Sequence, residues 1–247
     1  MKQLGLIGFP LSHSFSKKYF SEKFEREQIK GWQYDLFPIE NIEKLTDILG
    51  GGHFWVGLNV TIPYKEKILP FLDELNPEAA AIGAVNCIKI IDKKRIGFNT
   101  DVYGFEQSLL RQLSGKLPSG ALIFGTGGAS KAVQFVLKKL NIPFRLVSRT
   151  GACTYEDLTT DDIFSNKLLI NTTPLGMSPN VETCPPLSSD LYAAIGSEHF
   201  LYDLVYNPLT TKFLELGKKQ GANVQNGLEM LHLQAEKAWE IWNRIEN

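Results

Sequence analysis

The stretch that most restricts how this chain can fold is Ala121-Leu-Ile-Phe-Gly125-Thr-Gly127-Gly128-Ala129-Ser130-Lys131-Ala132. A short apolar run ends in a glycine turn, and Ala132, Val133, Val136, Leu137 and Leu140 then recur at helical spacing. Pro143 to Thr150 reads as the next strand, so the segment is a strand–helix–strand unit of a parallel sheet. Glycines at such a junction let backbone N–H groups approach a pyrophosphate, and the helix N-terminus adds partial positive charge. The spacing is G-x-G-x-x-S, with Ser130 in the small-residue position of the usual dinucleotide fingerprint. A glycine turn alone is weak evidence, because many loops use glycine only to reach positive φ. The strand before it and the helix after it strengthen the reading.

Because this unit sits mid-chain, a 247-residue sequence has room for a second α/β layer ahead of it. Residues 3–9 read as a buried strand, and Phe15, Tyr19, Phe20 and Phe24 follow at helical spacing, with Ser14 or Ser16 as the cap. Further strands are expected at 32–37, 54–60, 84–91 and 94–98, the last two joined by Asp92-Lys93 as a hairpin. Asn99-Thr100-Asp101 precedes a helix that runs to about Leu113, and residues 113–120 form a linker. Beyond the glycine turn, strands are expected at 121–124, 144–148, 167–170 and 200–204. Asn226 then caps a final helix, with Glu229 as its capping-box partner. The expected architecture is α/β with two α/β domains. The first is an open-sheet domain of residues 1–101 plus 227–247, the final helix packing back on it. The second is a Rossmann-like doubly wound domain of residues 102–226.

Charge excludes some partners. Lys+Arg 26 against Asp+Glu 27 leaves a net charge of -1 and no basic stripe for nucleic acid. The amino terminus enters a strand directly, so neither a leader nor a membrane span is expected. Three cysteines, scattered and without metal-ligand spacing, point to a reducing, cytoplasmic setting and to no bound metal.

The second strand of the nucleotide unit ends in Ser148-Arg149-Thr150. NAD-binding folds usually place a carboxylate there for the ribose 2′-hydroxyl; a guanidinium instead suits a 2′-phosphate, which favours NADP. A nicotinamide enzyme acting on an alcohol must also move a proton. Lys65 and Asp101 are the candidates, although a solvated lysine and a helix cap are the plainer readings of each. Of the four histidines, only His13 lies in a candidate site loop. Asn59, Thr61, Asn86 and Thr100 sit at neighbouring strand ends, where open α/β sheets form ligand crevices.

Co-linear blocks carry a family resemblance: Gly8-Phe-Pro-Leu-Ser-His13-Ser14-Phe-Ser16, Asn59-Val-Thr61-Ile-Pro-Tyr-Lys65-Glu66, Gly83-Ala-Val-Asn86 and Gly97-Phe-Asn99-Thr-Asp101-Val-Tyr-Gly104. They continue through Gly125–Lys131, Ser148–Thr150, Asn171–Met177, Tyr202–Thr210 and Gly227–Gln234. Together they resemble the shikimate dehydrogenase family. The resemblance implies reversible, NADPH-dependent reduction of 3-dehydroshikimate to shikimate in aromatic amino-acid biosynthesis; a monomer or homodimer is expected. It implies Lys65 and Asp101 as the catalytic pair. Ser14 and Ser16 would hold the substrate carboxylate, and Asn59, Thr61, Asn86 and Gln234 would bind ring hydroxyls. Gly125, Gly127, Gly128, Ala129, Ser148, Arg149, Thr150, Thr172, Gly227 and Met230 would hold the cofactor. Two positions depart from the family pattern: Ser148 stands where asparagine is common, and Cys87 where threonine is common. A quinate-preferring, NAD-linked relative and a non-catalytic nucleotide sensor are the competing readings.

Overall fold

The computed structural model describes residues 1–11, 14–113 and 115–244. It divides into two compact units, Met1–Thr100 with Ala235–Asn247, and Asp101–Gln234. His13, the histidine expected in a site loop, lies outside the described residues.

The first unit runs β1 (Lys2–Gly8), α1 (Phe15–Arg26), β2 (Trp32–Pro38), a 3-10 turn leading into α2 (Leu45–Gly50), β3 (Phe54–Val60), β4 (Glu74–Leu75), α3 (Pro77–Ile82), β5 (Cys87–Ile91) and β6 (Lys94–Phe98). Its sheet has the order β2-β1-β3-β5-β6-β4. β1 pairs in parallel with β2 and β3, whereas β5 is antiparallel to β3 and β6. Asp92 and Lys93 close the β5–β6 hairpin at φ 49° and 67°, the left-handed conformation that two-residue hairpin turns need.

One irregularity decides which side chains of β3 face which way. Gln3 pairs with Trp55 but Leu4 pairs with Gly57, so Val56 is an extra residue. Trp55, Leu58 and Val60 therefore share one face, with Ile7 and Ile88. Gly57 and Asn59 turn to the other, where Leu4, Leu6, Phe20, Tyr34 and Cys87 pack.

α4 (Thr100–Leu113) opens the second unit. There follow β7 (Ala121–Phe124), α5 (Gly128–Lys139), β8 (Phe144–Val147), α6 (Thr160–Ser165), β9 (Leu168–Asn171), α7 (Ser189–Ala193), β10 (Phe200–Asp203), α8 (Lys212–Lys219), β11 (Asn223–Asn226) and α9 (Leu228–Asn243). The sheet is wholly parallel in the order β11-β10-β9-β7-β8. β7, β9 and β10 are buried along their whole length, which is why they read as unbroken apolar runs. The order reverses between β7 and β9. Ligands of doubly wound sheets bind outside the carboxyl ends of strands at such a point, here marked by Gly125 and Thr172.

The last helix closes the first unit's core. Ala235, Ala238 and Trp242 lie in the cluster that contains Phe20 and Tyr34. Trp242 Nε1–H donates to the Ile88 carbonyl at 2.9 Å, and its indole fills the space a Cβ at Gly57 would need.

Some elements differ from expectation. β11 and the two-residue β4 carry too few apolar residues to register as strands; both are edge strands, which need only one neighbour. Asn226 ends β11, and its Oδ1 accepts from the Leu228 N–H at 3.0 Å. Glu229 is no capping-box partner: its carboxylate takes Arg111 Nη1 at 2.8 Å and Gln225 Nε2 at 3.0 Å. Charge-assisted bonds to two side chains replace the expected bond to backbone.

Candidate active site

In the first unit the polar residues expected at strand ends form one hydrogen-bonded line. Ser14 caps α1, its Oγ accepting from the Ser16 N–H at 3.3 Å. The Ser16 hydroxyl bonds Tyr34, and the Tyr34 hydroxyl donates to Asn59 Oδ1 at 2.8 Å. Asn59 Nδ2 donates to the Asn86 carbonyl at 3.2 Å. Asn86 in turn accepts from the Thr100 N–H at 2.7 Å and donates to Thr100 Oγ1 at 3.1 Å. Burial pushes the Tyr34 hydroxyl well above its ordinary range, against the Ser16 hydrogen bond, so it stays a neutral donor. Asn59, Asn86 and Thr100 are all buried, and the antiparallel turn of β5 and β6 brings the last two to the edge where β3 ends.

Lys65 and Thr61 belong to the segment after β3. The Thr61 N–H donates to the Ile7 carbonyl at 2.9 Å, extending the β3–β1 pairing by one residue. The Lys65 carbonyl accepts from the Val85 N–H at 2.7 Å, which ties its backbone beside Asn86, and the residue is half-buried. In the second unit Asp101 is buried as the second residue of α4, inside the helix and not at its cap. A Cβ at Gly104 would lie 2.5 Å from the Met230 carbonyl and 3.1 Å from Gln234 Cβ. Glycine there lets α4, at its fifth residue, approach the stretch of α9 that carries Met230 and Gln234. Gln234 Nε2 donates to the Leu231 carbonyl at 2.9 Å.

The glycine turn of the second unit is braced from two sides. Gly125 adopts φ +110°, and a Cβ there would lie 2.6 Å from Thr172 Oγ1. The Thr172 N–H and hydroxyl both donate to the Phe124 carbonyl, at 2.9 and 2.7 Å. Ser130 is fully buried and donates to the Gly125 carbonyl at 2.8 Å, so the departure from the glycine fingerprint closes the turn. Gly127 caps α5, whose first turn (Gly128, Ala129, Ser130) holds no acid. A Cβ on Gly127 would meet nothing within 4 Å, so packing does not demand glycine there. Open space over a helix N-terminus without carboxylates suits a pyrophosphate.

After β8, Ser148 Oγ donates to the Thr150 carbonyl at 2.7 Å, and the Ser148 N–H donates to the Cys153 carbonyl at 3.1 Å. This compact loop presents Arg149 and Thr150 to solvent. Arg149 also opposes the upward push of burial on the Tyr155 hydroxyl. At the start of α9 the Gly227 N–H donates to the Val205 carbonyl at 3.1 Å, and the Leu204 carbonyl leaves no room for a Cβ.

Residues 6–88 match the model of the shikimate dehydrogenase substrate binding domain. The NADP(+) shikimate dehydrogenase of Clostridium beijerinckii is 39% identical over 261 residues, covering 100% of this chain and 93% of that protein. The chain belongs to the shikimate dehydrogenase family. The family's solved structures agree in fold. That of Aquifex aeolicus has a TM-score of 0.87 at 31% identity, covering 100% of this chain and 94% of that one. The Thermus thermophilus enzyme, solved with NADP(H) and shikimate, has a TM-score of 0.83 at 31% identity, covering 98% and 94%.

Within the family frame, two features escaped the sequence. Tyr34 links Ser16 to Asn59, and the only hint was a tyrosine mid-strand whose hydroxyl needs a partner when buried. Ser130, expected only to fill the small-residue position, braces the turn through the Gly125 carbonyl. A Tyr-x-x-x-Lys spacing, a pattern used by some nicotinamide enzymes for proton transfer, does occur in the sequence, at Tyr19 and Lys23. Here both side chains bond Glu236, so the pair fastens α1 to the last helix. Cys87, the other departure, is fully buried in the apolar core and packs as a small hydrophobe.

Proposed function

We propose that this chain catalyses the reversible NADPH-dependent reduction of 3-dehydroshikimate to shikimate, the shikimate-pathway step that leads towards chorismate and the aromatic amino acids. Membership of the family supports this. The observation that carries it within the molecule is the polar line Tyr34–Asn59–Asn86–Thr100, buried throughout, with the half-buried Ser16 at its end. Such a row of short, pre-bonded polar groups suits a small polyhydroxylated acid and rejects analogues lacking a hydroxyl. In this reading the first unit binds substrate and the second binds NADP.

Ser14 and Ser16 take the carboxylate at the N-terminus of α1, whose first turn carries no acid. Ser14 Oγ accepts one bond as the cap and keeps its proton to donate. Ser16 trades its bond to Tyr34 for one to the ligand. Asn59, Thr61, Asn86 and Gln234 meet the ring hydroxyls. Gly125, Gly127, Gly128 and Ala129 cradle the pyrophosphate. Ser148, Arg149 and Thr150 receive the 2′-phosphate, while Thr172, Gly227 and Met230 complete the cofactor's seat. NADP supplies or receives the hydride. Lys65, paired with Asp101, gives a proton to the forming alkoxide in reduction and takes it back in oxidation. Three free cysteines fit a cytoplasmic setting, and a monomer or homodimer is proposed. No helix among the described residues is long and apolar enough to cross a membrane.

The test is nicotinamide absorbance with shikimate and with quinate, each with NADP and with NAD. Fastest turnover is expected for shikimate with NADP. Preference for quinate with NAD, or NADP binding without any turnover, would overturn the reading.

A further inference from the structure

Asn171, Asp203 and Thr211 are fully buried polar residues in the second unit, outside the groups assigned above. Asp203 ends β10, and its carboxylate gathers three donors from three places. Oδ1 accepts from Asn171 Nδ2 at 2.9 Å and from the Val205 N–H at 3.0 Å; Oδ2 accepts from the Thr211 hydroxyl at 2.5 Å. Two of these donors lead to parts of the proposed cofactor site, and the third leads to the cap of α8.

Through Asn171 the connection reaches the glycine turn. Asn171 Oδ1 accepts from the Thr173 N–H at 3.0 Å and the Thr173 hydroxyl at 2.6 Å. Between them, Thr172 holds the Phe124 carbonyl with both its donors and sits against Gly125. Through Val205 the connection reaches α9, because the Val205 carbonyl accepts from the Gly227 N–H. Through Thr211 it reaches α8, which Thr211 caps by accepting from the Leu214 N–H at 3.4 Å. The loop between Asp203 and Thr211 is pinned once more where Asn226 Nδ2 donates to the Leu209 carbonyl at 2.7 Å.

We propose that Asp203 is a positioning residue of the cofactor site: its carboxylate locks the loop after β9 to the loop after β10, and so fixes Thr172 beside the glycine turn and Val205 beside Gly227. The inference rests on the NADP reading above. A carboxylate with no solvent contact is costly to keep, and burial pushes Asp203 up to about 6 despite its three donors. An apolar side chain would fill the space at lower cost. What Asp203 provides, and an apolar side chain cannot, is two polar atoms that bond in three directions and so specify one arrangement of both loops.

Calorimetry of NADP binding and steady-state kinetics with shikimate test this. Activity of the unmodified enzyme comes first, and its absence would sink the NADP reading independently of Asp203. Given activity, Asp203→Ala weakens NADP about tenfold, leaving KM for shikimate at saturating NADP within about twofold. Asp203→Asn, which keeps an acceptor for Asn171 and Val205 and can donate to Thr211, restores NADP affinity to within about twofold. A folded Asp203→Ala enzyme with normal NADP affinity, or one losing both ligands equally, overturns the proposal. Should Asp203→Ala fail to fold, Thr211→Val weakens NADP and Thr211→Ser restores it; equal affinity in those two variants overturns it as well.

Discussion

At the scale of single residues, Lys65 is held through its backbone. The Val85 N–H fixes the Lys65 carbonyl, so truncating the side chain leaves the surrounding hydrogen bonds intact. Lys65→Ala is expected to lower turnover by about 100-fold or more while NADP affinity by calorimetry stays unchanged. Near-normal turnover would remove Lys65 from the proton step. Asp203 makes a second prediction, about stability. Its folded pKa is raised from 3.8 to about 6, so its contribution is fully present below the unfolded value and is lost as pH rises through 6. Between pH 7 and pH 5 the unmodified protein should gain about 1–1.5 kcal/mol relative to Asp203→Asn in denaturant unfolding. A constant difference across that range would show that the carboxyl group does not titrate there. Neither residue's surroundings were legible in the sequence. Lys65 could be named from its block, but Asp203 was only one letter of a longer one, since its donors come from positions 171, 205 and 211.

At the scale of elements, the last helix and β3 depend on one absent methyl group. Gly57 needs no unusual φ, so alanine is allowed by the backbone. Its Cβ, however, would occupy the place of the Trp242 indole and lie 2.5 Å from the Ile88 carbonyl. Gly57→Ala should therefore cost about 1–3 kcal/mol in equilibrium unfolding. An unchanged midpoint would mean that α9 can dock elsewhere. The helix itself was readable, because its apolar stripe repeats at helical spacing. Which residue receives Trp242 was not, because the bulge at Val56 decides the face to which Gly57 and Asn59 turn. The capping box expected at Asn226 and Glu229 misled for a similar reason. Local spacing allowed it, but Arg111 competes for the carboxylate from 118 residues away.

At the scale of the whole molecule, two sheets with separate cores imply separable responses to the two ligands. In hydrogen exchange, shikimate should protect the backbone around 14–16, 59–61 and 84–86, and NADP that around 125–130 and 148–151. Protection by NADP confined to the first set would contradict the assignment of the units. The sequence by itself determined the two-layer α/β class and the strand–turn–helix nucleotide unit, and it supplied Lys65, Asn59, Asn86, Gly125 and Arg149 as candidates. Periodicity and glycine placement are local, and local patterns survive in a linear string. Only the tertiary structure decided that Tyr34 joins Ser16 to Asn59, that Ser130 closes the glycine turn, and that Asp203 ties two loops together. Buried polar groups must find partners wherever the fold brings them, and those partners have no fixed spacing along the chain.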